Sequence, residues 1–168
     1  MIHLKYISAQ KILLLVFLFF NLSSCSNQIS DDLLDYVNKY LPKVADKEAK
    51  ALDSYASVQG DNYTDDETMY YTIQNEVIPV YRKFIDELEP ISEKLKTPEV
   101  KALHEKYIEA ANTQFNAFML ILSALENQDY NQMMEANQKL DKGRKLLREY
   151  RTELKKLCAE NNVDLKME

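Results

Sequence analysis

Residues 130–160 read YNQMMEANQKLDKGRKLLREYRTELKKLCAE, and this stretch decides the fold. Within it Met133, Ala136, Leu140, Gly143, Leu147, Tyr150, Leu154 and Leu157 alternate three- and four-residue steps without a miss. Such spacing places every apolar side chain on one face of a helix and leaves the charged residues on the other. Asp129-Tyr130-Asn131-Gln132 offers a capping box at its start, Lys155 and Lys156 suit the negative end of its dipole, and Asn161-Asn162 closes it.

Upstream, the same period recurs three times. Val100, Leu103, Tyr107, Ala111, Phe115, Phe118, Leu122 and Leu125 form a stripe that starts at Thr97-Pro98-Glu99, with Thr97 expected as the cap and Pro98 at the first helical position. Asn127 and Gln128 make a tight connection to the last helix. A second stripe runs Tyr70, Ile73, Val77, Val80, Phe84, Leu88, Ile91 and Leu95, entered through Thr64-Asp65-Asp66-Glu67, where Thr64 and Glu67 are expected to cap reciprocally. The first stripe is Leu34, Val37, Leu41, Val44, Ala51, Tyr55 and Val58, with Glu48 as its one polar intruder. Each of Pro42, Pro79 and Pro90 lies inside a stripe, removes a backbone donor and is expected to kink its helix.

The chain is therefore expected to be all-α. Helices of about 30 residues, or about 45 Å at 1.5 Å per residue, joined by short loops, should form an antiparallel up-down-up-down four-helix bundle over residues 31–162, followed by a tail at 163–168. The near-3.5 repeat implies a left-handed twist. A rival arrangement is a three-helix bundle with the first helix as a stalk. With two glycines and four prolines, the chain has too few turn residues for an all-β domain.

The first 24 residues stand apart. Lys5 and Lys11 precede the unbroken apolar run Ile12 to Phe20, and Leu22-Ser23-Ser24-Cys25 ends it. A charged start, a short apolar core and small residues before a cleavage point describe an export signal too short to span a bilayer as a mature helix. Leu-Ser-Ser-Cys resembles the lipobox of bacterial lipoproteins. That resemblance implies cleavage after Ser24, acylation of Cys25, and a short lipidated tether over residues 25–30. It also implies a place on the extracytoplasmic side of a bacterial membrane, the outer membrane if the cell is Gram-negative. Residues 97–157 are similar to a helical-hairpin pattern of uncharacterised bacterial lipoproteins and secreted bundles, which implies fold and envelope location and carries no site residues.

Removing residues 1–24 takes away two of the 21 basic residues and none of the 27 acidic ones, so the mature chain carries a net charge of −8. That acidity argues against nucleic acid and favours a soluble monomer or weak dimer. With Cys25 acylated, Cys158 is the remaining thiol; a half-buried packing role and an intermolecular disulfide are its two readings. No di-iron or c-type haem motif is present, since His104 has Lys101 three positions before it and no Cys-x-x-Cys-His occurs. The acidic group Asp61, Asp65, Asp66 and Glu67 does not match a calcium loop. Nothing in the sequence is arranged to activate a nucleophile, so the expectation is a non-enzymatic protein without a cofactor.

Tyrosine is the unusual residue, at 11 in the chain. Tyr36, Tyr40 and Tyr71 fall off the stripes, and because tyrosine is enriched at interfaces they form the candidate surface for an envelope protein partner. The alternative reading is a small-ligand or haem/metal carrier that uses the bundle interior, with His104 and a methionine as ligands.

Overall fold

The computed structural model describes residues 28–165. Among these residues there are four helices and no strand, so the protein is all-α, a helical bundle. Helix α1 covers residues 28–56 and α2 residues 66–88, extended by a 3-10 stretch at Glu89–Lys94; α3 is Pro98–Asn127 and α4 is Tyr130–Glu160. The chain is already helical at residue 28, the first described, so α1 includes residues assigned to the expected tether. Beyond α4, Val163 is buried and Leu165 packs against the core, so the core extends past residue 162.

The prolines are absorbed without ending α1 or α2. A five-residue π-turn, Tyr36–Tyr40, precedes Pro42, and another, Ile73–Val77, precedes Pro79. Proline cannot donate to the carbonyl four residues back, and its ring crowds that carbonyl. Widening the preceding turn lets the Leu41 N–H bond Tyr36 O and the Ile78 N–H bond Ile73 O, each five residues back. Pro90 is met by tightening instead, at the head of the 3-10 stretch.

The extra residue in a π-turn rotates the helix face by about 100°. Leu33 and Tyr36 are consequently buried where the α period pointed to Leu34 and Val37, and Leu34 is exposed. In α2, likewise, Met69 and Tyr81 are buried, while Tyr70 and Val80 are only partly so. The stripes of α3 and α4 hold, with Phe115, Leu122, Met133 and Leu157 at the core's margin. Because Leu33, Tyr36, Val44, Ala51 and Tyr55 all join one core, α1 is an integral helix and not a stalk.

Two caps differ from expectation. Asp65, not Thr64, caps α2, accepting from the Thr68 N–H at 2.8 Å and the Thr68 hydroxyl at 2.9 Å. These bonds hold the Asp65 carboxyl below its usual range. A carboxylate accepts more strongly than a hydroxyl, so the neighbouring aspartate takes the position. At α3, the Thr97 side chain accepts no cap bond and instead donates its hydroxyl to Asp32. One oxygen of this buried carboxylate receives the Lys96 N–H (2.9 Å), the Thr97 N–H (2.8 Å) and the Thr97 hydroxyl (2.7 Å), capping α3 from α1. Asp129 caps α4, accepting from the N–H groups of Asn131 and Gln132, but the Gln132 side-chain carbonyl oxygen has no partner and the Asp129 N–H goes to Ala124 O, so the reciprocal half of the expected box is not formed.

Candidate functional site

The polar chemistry of the interior converges where the four helices meet. His104 on α3 is fully buried; its Nε2 lies 3.1 Å from the Leu88 carbonyl of α2, and its Nδ1 lies 3.1 Å from the Tyr36 hydroxyl of α1. A carbonyl only accepts, so Nε2 carries the proton and Nδ1 is the acceptor. The Tyr36 hydroxyl therefore donates to His104. Its oxygen then receives the Tyr150 hydroxyl of α4, 3.0 Å away. Proton direction is fixed along the whole line: Tyr150 to Tyr36 to His104 to Leu88. Burial lowers the pKa of His104 and keeps it neutral, and burial raises the phenols of Tyr36 and Tyr150 far above their ordinary range.

A second pair lies beside this line. Tyr107 donates to Glu48 Oε2 at 2.5 Å and stacks on Tyr150 with ring centroids 4.6 Å apart and planes 9° from parallel. Glu48 Oε1 is buried without a partner, and burial raises the pKa of this carboxyl. Its oxygen charge in turn raises the Tyr107 phenol beyond the effect of burial alone. Further along the bundle, Tyr81 donates to Gln114 at 2.7 Å, where α3 faces Gly143 of α4. There Gly143 leaves no room for a side chain, since a Cβ would stand 2.6 Å from Gln114 Cγ.

These groups tie helix to helix. The buried phenols of Tyr36, Tyr81, Tyr107 and Tyr150 and both ring nitrogens of His104 are engaged within the protein. Among the described residues no group of three or more His, Cys, Asp or Glu side chains gathers at metal-binding distance. Among the described residues the surface carries several grooves, including one of about 390 Å³ between α3 and α4 around the Lys106–Glu153 ion pair and one of about 280 Å³ beside Tyr40 and Pro90.

The tyrosine surface expected from the sequence does not hold together. Tyr36 is wholly buried, turned inward by the π-turn in which it sits. Tyr40 is half-buried with the Lys94 ammonium over its ring, and Tyr71 is exposed against Tyr70. Cys158 is a buried free thiol packed in the core. The signals that could have found the interior network were in view: Glu48 as the one polar break in a stripe and His104 beside another. Cys25 lies outside the described residues. Among known proteins, no family model, curated sequence or solved structure matches this chain.

Proposed function

We propose that the protein is a bacterial envelope lipoprotein, anchored by acylated Cys25, whose helical domain is a non-enzymatic binding module. The observation that carries this reading is the Leu22-Ser23-Ser24-Cys25 lipobox at the end of the apolar run. One acyl chain binds a membrane reversibly and two or more hold it, so the tri- or diacylated cysteine implied by the lipobox is a lasting anchor. A non-catalytic role is supported by the use of the buried titratable groups, which cross-link helices. The finer architecture belongs to the same proposal: an antiparallel, left-handed bundle with kinks at Pro42, Pro79 and Pro90. It is supported by the pairing of Tyr107 with Tyr150 and of Gln114 with Gly143, in which positions rise on α3 as they fall on α4.

The anchor is tested by metabolic labelling with an acyl-chain probe and by detergent-phase partitioning. Wild type should carry label and enter the detergent phase, and Cys25→Ser should lose both. Equal labelling of the two would reject the lipoprotein reading.

A further inference from the structure

Charge is divided unevenly along the bundle. Residues 51–81 contain six acidic residues and no lysine or arginine, and residues 107–138 contain four and again none. All ten carboxylates are exposed, and among the described residues only Glu135 has a cation partner, Lys139 at 3.7 Å. Tertiary contacts put these two stretches in one half of the molecule. Tyr55 packs on Phe118 at 5.0 Å, Tyr81 on Phe118 at 5.3 Å, and Asp66 shares a surface groove of about 200 Å³ with Leu125, Asp129, Tyr130 and Met133. The same half holds most of the misplaced apolar surface. Tyr63 (47 % exposed), Tyr71 (53 %), Met119, Tyr130 (75 %) and Met134 all lie in it; Leu34 is the one other large apolar side chain left exposed among the described residues. Tyr63 and Tyr130 are joined through Asp66, which accepts the Tyr63 hydroxyl at 2.8 Å and lines the groove with Tyr130.

We infer that this half is a docking surface for a Lys/Arg-rich protein segment, with Tyr63 and Tyr130 as its apolar anchors. Tyrosine and methionine are the residues interfaces favour, and an unpaired field of one sign steers and selects a partner of the other. Anionic lipid would be repelled by the same field. The inference rests on the binding-module reading and names its partner's chemistry. If Cys25 is the anchor, α1 runs from the membrane side toward this half, which then faces away from the bilayer over a helix of about 43 Å at 1.5 Å per residue.

The test uses the full chain in nonionic detergent and a fluorescent synthetic peptide of Lys-Leu-Arg repeats, with a Glu-Leu-Glu peptide as control. Anisotropy should show saturable binding of the cationic peptide alone, weakening as salt rises to about 0.15 M. Asp61→Asn/Glu67→Gln/Glu126→Gln should weaken it about tenfold, and Glu93→Gln/Glu99→Gln/Glu160→Gln, the same charge change in the other half, less than about twofold. Tyr63→Ser/Tyr130→Ser, which leaves formal charge unchanged, should weaken it about fivefold. Three results would overturn the inference: absence of binding, equal loss in both charge variants, or full affinity in the tyrosine pair. Sedimentation that shows self-association abolished by the first charge variant would assign the surface to a second copy and also overturn it. Peptide binding that survives in Cys25→Ser separates this surface from the anchor.

Discussion

The hydrogen-bond order Tyr150 to Tyr36 to His104 makes an unusual demand on two single hydroxyl deletions. Tyr36→Phe removes the middle of the line and leaves two buried groups without partners, His104 Nδ1 and the Tyr150 hydroxyl. An unpaired buried polar group costs about 1–3 kcal/mol, so the variant should lose roughly 2–4 kcal/mol. Tyr150→Phe removes only the end of the line. Tyr36 still donates to His104, the ring still stacks on Tyr107, and the loss should be about 1 kcal/mol. The double variant no longer has a stranded Tyr150 hydroxyl, so it should be no less stable than Tyr36→Phe alone. The two losses are therefore sub-additive by about 1–2 kcal/mol. Urea unfolding followed by far-ultraviolet circular dichroism gives the three values, provided the denaturant slope is unchanged. On a melting curve the Tyr36→Phe loss corresponds to roughly 6–12 °C. Equal losses in the two single variants, or additive losses in the double, would show that the three groups do not form one connected line with Tyr36 at its middle and would refute the reasoning.

Gly143→Ala should destabilise by about 1 kcal/mol, because crowding against Gln114 (about 1–3 kcal/mol) exceeds the gain in helix propensity (about 1 kcal/mol). In a Gln114→Ala background the sign should flip, and denaturation midpoints of the four proteins check it. Leu147→Asp places a carboxylate in the core and should cost about 3–5 kcal/mol; an unchanged melting temperature would contradict the core assignment. Stability should also depend on pH through two buried groups of opposite sign. His104 has a folded-state pKa below the ordinary 6.5, so its contribution is complete above that value and is lost as pH falls through the lower one. Glu48 has a raised folded-state pKa, so its contribution is present near and below its ordinary 4.5 and is lost as pH rises through the raised value. Glu48→Gln should therefore steepen the loss of stability below pH 6.5, and His104→Gln should flatten it, as read from denaturation at a series of pH values.

The sequence by itself determined the helical class, the number of helices and most of their buried faces. Periodicity is a local property, and in α3 and α4, where nothing interrupts the turn, local geometry and burial agree from Val100 to Leu154. The tertiary structure decided whatever depended on a residue far along the chain. Tyr36 reads as a surface residue until the π-turn ahead of Pro42 adds one position and turns it inward. Thr97 reads as a cap until Asp32, 65 positions earlier, supplies a carboxylate that accepts better than a hydroxyl. His104 reads as a lone polar residue beside a stripe until Leu88 and Tyr36, brought in from two other helices, engage both of its nitrogens. The acidic half shows the same division. Two long gaps between basic residues are plain in the sequence, but only packing lays one against the other, so that their charges add.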